Sequence, residues 1–104
     1  MTQTDSPQIK ALKERYKDSF SEKINDLEEC LHAVQSESAT HEDVIKLRDL
    51  LHKIAGSSGM YGYNDISVLS RASMNLAERI ENLNEIEDLS LNVKQLISLF
   101  NSNR

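Results

Sequence analysis

Apolar residues recur along the chain at intervals of three or four, a spacing that predicts amphipathic helices. The first predicted helix runs from about Pro7 to Val34, with Ser6 as its capping residue and Pro7 at the first helical position. Its apolar positions are Ile9, Leu12, Tyr16, Phe20, Ile24, Leu27, Leu31 and Val34. One helix of this length would measure about 42 Å, which is long for so small a chain, and a break between Asp18 and Ser21 is compatible with the pattern.

Three further helices follow, separated by short polar breaks. After a loop at residues 35–39, Thr40 caps the second helix, with Asp43 as an acid in its first turn. This helix ends near Gly62, and its apolar face comprises Val44, Leu47, Leu50, Leu51, Ile54 and, further on, Tyr61. Asn64 or Asp65 caps the third, whose stripe is Ile66, Leu69, Ala72, Leu76, Ile80 and Leu83.

The last predicted helix begins at Asn84, which resembles the first residue of a capping box with Glu87. Its stripe is Ile86, Leu89, Val93, Leu96, Ile97 and Phe100. Each amphipathic helix must bury one face, and short connections favour antiparallel neighbours. The pattern therefore predicts an all-α fold, an antiparallel up-down four-helix bundle, with a short N-terminal helix segment if the first helix is broken.

Composition agrees with one helical domain over residues 1–104. A chain of 104 residues suits a single compact domain. It has only 3 Gly and 1 Pro, fewer turn residues than an all-β protein needs. With no Trp, 3 Tyr and 2 Phe, the core must consist mostly of Leu, Ile and Val.

Charge and hydropathy narrow the classes of partner. The formal net charge is −5 and the basic residues alternate with acidic ones, which argues against nucleic acid and anionic lipid as partners. No apolar run approaches the roughly 20 residues needed to span a bilayer, and the polar start lacks a signal-peptide core. The single cysteine, Cys30, cannot form an internal disulfide. We therefore expect a soluble, cytoplasmic protein with no membrane contact.

All three glycines lie within the twelve residues 51–62, LHKIAGSSGMYG, at the end of the second predicted helix. A glycine inside a helix costs about 0.8–1.0 kcal/mol relative to alanine. On a helical wheel His52 lies opposite the apolar face, and Gly56 and Gly59 flank it on its own side. Their missing side chains would let another protein approach His52 closely.

The glycines are also compatible with two purely structural roles. A tight helix crossing would place them on the core face, whereas the wheel places them opposite to it. Termination of the helix at Gly56 stays open. The wheel also brings Ile45, Arg48 and Asp49 to the side of His52, where Ile45 is a candidate apolar anchor for a partner, although single exposed apolar residues are common.

The segment from His52 to Gly62 resembles the motif of the histidine-phosphotransfer (HPt) family. After the histidine, that motif has an aliphatic residue at two, glycine at four, small or hydroxyl residues at five and six, and glycine at ten. Here these are Ile54, Gly56, Ser57, Ser58 and Gly62. The four-helix layout matches over nearly the whole chain. The resemblance implies a phosphorelay protein in which His52 accepts a phosphoryl group from a receiver aspartyl-phosphate and passes it to another receiver.

The resemblance also implies the partners, which are receiver domains of response regulators and of hybrid histidine kinases. A receiver would bring the acidic pocket and Mg²⁺, and this chain would bind no cofactor. Because the sequence has no nucleotide-binding glycine loop, we expect a phosphocarrier without ATP-dependent activity of its own. Its nucleophile would be an unprotonated imidazole nitrogen, with Nε2 the more exposed of the two.

One position departs from the pattern of many family members. They have lysine three residues after the histidine, where its ammonium lies near the phosphoryl oxygens, and this chain has Ala55. Arg48, one turn before His52, is the first candidate to replace that charge. Lys53 projects about 100° away on the wheel, and a basic residue of the partner is the third candidate. Arg48 is equally compatible with a solvated surface residue.

Other functions carry less support from the residues. His32 and His41 have no glycine-cleared face, and the three histidines lack metal-ligand spacing, so we expect no metal site and no cofactor bundle. The main alternative is a helical adaptor or kinase inhibitor in which His52 is idle.

Overall fold

The computed structural model describes residues 6–104, apart from the side chain of Asn84, and within this range every regular element is a helix. Its α-helices are α1 (Pro7–Asp18), α2 (Phe20–Gln35), α3 (His41–Met60), α4 (Asn64–Arg79) and α5 (Ile86–Ser102), with a 3₁₀ turn at Leu83–Glu85 before α5. Helices α2 to α5 form a ring in which α3 packs against α2 and α4, and α5 packs against α4 and α2. The prediction of an all-α four-helix bundle is confirmed.

The first predicted helix is divided at Ser19, within the interval where the pattern allows a break. The Ser19 hydroxyl donates to the Tyr16 carbonyl, and a serine that bonds to the backbone in this way competes with regular helix bonding. The break leaves α1 in contact with the bundle only near its end, so that Ile9 and Leu12 remain 47% and 40% exposed. Their assignment to a buried stripe is therefore wrong.

The five aromatic side chains of the protein form one cluster where α1 meets the bundle. Phe20 packs edge-on against Tyr63 and Phe100, with ring centroids 5.2 and 4.9 Å away. Tyr16 stacks on Tyr61 and Tyr63 at 5.0 and 5.7 Å. Burial raises the pKa of Tyr16 above its ordinary value of 10.0, so its hydroxyl keeps its proton for hydrogen bonding. The cluster ties α1 to the α3–α4 turn.

The observed N-caps of the helices agree only in part with those predicted from the sequence. Thr40 is the N-cap of α3, and its N–H donates to the Asp43 carboxylate at 2.9 Å, as predicted. The N-cap of α4 is Tyr63 rather than Asn64 or Asp65, because the tight turn after α3 brings the helix in one residue earlier. The N-cap of α5 is Glu85, one residue after the predicted Asn84. The predicted capping role of the Asn84 side chain lies outside the described residues.

Helix α4 buries a narrow face of small residues instead of its leucine stripe. Ser67, Ser70, Ser73 and Ala77 are buried together with Ile66. Leu69 and Leu76 lie half-buried at the edge, and Ala72 is exposed, so its predicted place in the stripe is wrong. The helix also ends at Arg79, before Ile80 and Leu83. Small residues on this face allow α3 and α4 to pack closely beside His52.

Candidate functional site

His52 projects from the middle of α3 into solvent. The helix buries Leu47, Leu51 and Ile54 on its opposite side, at 0%, 0% and 1% exposure. Because apolar burial holds that face against the bundle, the imidazole is left on the surface. The structure therefore places His52 on the side of α3 that the helical wheel predicts.

The imidazole has one hydrogen-bond partner among the described residues, and it comes from α4. His52 Nδ1 lies 3.3 Å from the sulfur of Met74. This contact turns Nδ1 toward the neighbouring helix, and Nε2 forms no hydrogen bond within the described part of the chain. An imidazole held in this way presents Nε2 as the nitrogen available to an incoming group.

The two glycines beside His52 have different surroundings. A Cβ added at Gly56 would have nothing within 4 Å, so this glycine does clear the surface one turn after His52. A Cβ at Gly59 would lie 3.0 Å from the Ser67 hydroxyl on α4. The prediction that Gly59 faces away from any helix crossing is therefore wrong. A helical wheel describes α3 alone and does not show which part of its surface α4 covers. The helix also continues to Met60, which rules out termination at Gly56.

Alanine substitutions at the two glycines should separate these roles. We expect Gly56→Ala to raise the free energy of unfolding by about 0.8–1.0 kcal/mol, because it restores helix propensity in open space. Gly59→Ala should gain little or lose stability, because the new methyl displaces Ser67, whose hydroxyl donates to the Ala55 carbonyl at 2.8 Å. Urea unfolding followed by circular dichroism measures both. Equal stabilisation by the two variants would contradict the crossing at Gly59.

The remaining residues of the motif shape the end of α3. The Ser57 hydroxyl lies 2.7 Å from the Tyr16 hydroxyl and bonds to the Lys53 carbonyl. Buried Ser58 donates to the Ile54 carbonyl. Gly62 has a φ of +84°, a backbone conformation that favours glycine, and it turns the chain into α4. These residues hold the helix that carries His52.

Ala55, which stands where many family members have lysine, faces α4. Ala55 is only 4% exposed, so the close α3–α4 packing occupies the space beside it. Arg48 is half-buried, and its guanidinium pairs with the Asp49 carboxylate at 2.9 Å. Lys53 is exposed, and Ile45 is 41% exposed. The roles of Arg48, Asp49, Lys53 and Ile45 toward a phosphoryl group or a partner stay predictions.

Helix α4 contributes to this site in a way that the sequence pattern did not predict. Ser67 and Met74 both contact α3, and Arg71 lies between them at four and three residues' distance, on the same face of α4. The Arg71 side chain is exposed and adds a positive charge at the surface where α3 and α4 pack together. The spacing of apolar residues predicts that α4 is a helix. It does not predict the register at which α4 packs against α3, because no local sequence pattern encodes that register.

The other two histidines and the cysteine lie on α2 and at the first residue of α3, whereas His52 lies in the middle of α3. His32 and His41 are exposed on α2 and at the start of α3. Burial, followed by the nearby Asp26 and Glu29 carboxylates, raises the pKa of the Cys30 thiol. Within residues 6–104 no group of three or more His, Cys, Asp or Glu side chains is arranged to hold a metal ion. None of the described helices combines the length and apolar character that a membrane span requires.

Comparison with protein families identifies the class to which this fold and site belong. The model of the Hpt domain matches residues 11–101, and the chain therefore belongs to the Hpt domain family. Histidine phosphotransfer in phosphorelays is the general function of this family, and its members interact with receiver domains of two-component systems. Comparison with curated proteins and with solved structures finds no match.

Proposed function

We propose that this protein is a phosphocarrier in which His52 takes a phosphoryl group from an aspartyl-phosphate of one receiver domain and passes it to another. The observation that carries the proposal is the exposed His52 imidazole, with Nδ1 turned to Met74 and open space at Gly56. A nucleophile on a rigid helix with clearance beside it suits transfer between proteins. Phosphoryl transfer depends mainly on positioning and on charge stabilisation.

In the proposed step the lone pair of His52 Nε2 attacks the phosphorus of the aspartyl-phosphate. The N–P bond forms as the bond from phosphorus to the aspartyl oxygen breaks, and the electron pair leaves with the receiver carboxylate. The imidazole keeps its Nδ1 proton, so no base is required for the attack. Return of the phosphoryl group to a second receiver reverses the same bonds.

The receiver would supply the acidic pocket and a Mg²⁺ ion that neutralises charge on the phosphoryl oxygens. Arg48 and Lys53 lie within one turn of His52 along α3, and Arg71 lies within one turn of Met74 along α4. These three basic residues are our candidates to attract phosphate. Because the Arg48 guanidinium already pairs with the Asp49 carboxylate, Arg48 is less available to bind a phosphoryl group. We assign the replacement of the missing lysine to these basic side chains together with basic residues of the receiver.

Transfer from phosphorylated receivers tests the proposal. Receivers from the same cell, labelled on aspartate, are mixed with the protein, and the label is followed onto the chain and then onto a second, unlabelled receiver. We expect acid-labile, base-stable label on His52 that moves onward within the time of the assay. Binding of receivers without transfer to or from His52 would overturn the phosphocarrier function and favour the adaptor alternative.

A further inference from the structure

We propose that Met74 is a positioning residue that keeps the proton of the His52 imidazole on Nδ1 and thereby leaves Nε2 as the nucleophile. The inference rests on the proposed function, since it concerns the nitrogen that would receive the phosphoryl group. Its basis is the 3.3 Å contact between His52 Nδ1 and the Met74 sulfur, which lies outside the motif that singles out His52.

The chemistry of the thioether decides which ring nitrogen carries the proton. A methionine sulfur can accept a hydrogen bond but has no proton to donate. A hydrogen bond at Nδ1 therefore requires an Nδ1–H, and in the neutral ring this leaves the lone pair on Nε2. A histidine side chain in water favours the opposite tautomer, with the proton on Nε2. Met74 thus selects the tautomer that is reactive at the exposed nitrogen.

The packing of α4 keeps the sulfur in place. Met74 is half-buried and lies two turns after Ser67, whose hydroxyl bonds to the Ala55 carbonyl of α3 at 2.8 Å. Ser67 also faces Gly59, and this close approach sets the register of α4 along α3. The same register places the sulfur beside the ring and directs Nε2 away from the bundle.

The contact also strengthens during the proposed transfer. When Nε2 bonds to phosphorus, positive charge develops on the ring, and the Nδ1–H becomes a better donor. Hydrogen bonds with a charged partner are stronger than neutral ones, so the sulfur stabilises the product side of the step. Met74 does this through His52, without touching the phosphoryl group.

The tautomer of His52 can be measured directly in the unphosphorylated protein. Nitrogen-15 chemical shifts of the ring should show the proton on Nδ1 in the wild-type chain. We expect Met74→Leu to shift the population toward Nε2–H, because leucine fills similar space without an acceptor. Met74→Gln offers a carbonyl acceptor and should restore the Nδ1–H form. Met60→Leu removes a thioether that is 76% exposed on α3 and should leave the tautomer unchanged.

A small phosphodonor then tests reactivity without a partner protein. With phosphoramidate, Met74→Leu should accept phosphate about threefold to tenfold more slowly, the factor that the loss of one hydrogen bond represents. Met74→Gln and Met60→Leu should react at the wild-type rate, and circular dichroism should show the same fold for all four proteins. An Nε2–H tautomer in the wild-type chain, or no change in tautomer and rate in Met74→Leu, would overturn the inference. If the tautomer shifts as expected while no receiver transfers phosphate, the role of Met74 is upheld and the proposed function fails.

Discussion

Replacement of His52 by glutamine should abolish phosphoryl acceptance while leaving the fold intact. Glutamine has a similar polar surface but no nucleophilic nitrogen, so no N–P bond can form. Because His52 is exposed, the substitution should change the free energy of unfolding by no more than about 0.5 kcal/mol. Label from a phosphorylated receiver should therefore fall to background in a protein whose urea unfolding curve matches that of the wild type.

The remaining two histidines provide matched controls for this experiment. His32 and His41 are also exposed on helices, but neither has a glycine one turn away. We expect His32→Gln and His41→Gln to accept label at the wild-type rate. Label that persists in His52→Gln, or that disappears in either control, would show that phosphate resides on a different histidine.

Truncation of Phe20 should be the most destabilising change in the aromatic cluster. Phe20 is fully buried and contacts the rings of Tyr16, Tyr63 and Phe100, so it joins α2 to α1, to the α3–α4 turn and to α5. Removal of a buried phenylalanine typically costs about 3–5 kcal/mol. That is a large part of the roughly 5–15 kcal/mol that stabilises a domain of ordinary size.

Urea unfolding of Phe20→Ala, followed by circular dichroism, measures this loss. Phe20→Leu is the matched control, because it keeps most of the buried volume and should cost no more than about 1.5 kcal/mol. A loss below about 1 kcal/mol in Phe20→Ala, well under the range for such truncations, would show that the cluster does not hold the helices together. Partial retention of phosphoryl acceptance by the folded fraction is expected, because His52 lies outside the cluster.

Periodicity along the chain was sufficient to predict the helices of the bundle and the direction of His52. Apolar spacing shows which side of a helix must be buried, and His52 lies opposite Leu47 and Ile54. The open surface at Gly56 followed from the same wheel, because that glycine lies toward solvent. The division of the first helix near Ser19 was also compatible with the pattern, since an uninterrupted helix would have been too long for the bundle.

The residues that lie beside the His52 face of α3 depended on the tertiary structure. A wheel gives the direction of a side chain about its own helix axis, but not which helix lies beside it or at what register. The burial of Ala55 and the crossing at Gly59 therefore became visible only once α4 was in place. The serines of α4 had given no signal, because small polar residues look like a solvated face in the sequence, whereas here they allow two helices to approach closely.

The sequence alone predicts that His52 is exposed and makes it the candidate phosphoryl acceptor, because the direction of its side chain follows from the local apolar pattern of one helix. The surroundings of the imidazole, in contrast, depend on how α4 packs against α3. The contact between His52 Nδ1 and Met74 joins residues that are far apart in the chain, and it exists because the small residues of α4 let the two helices pack at one register.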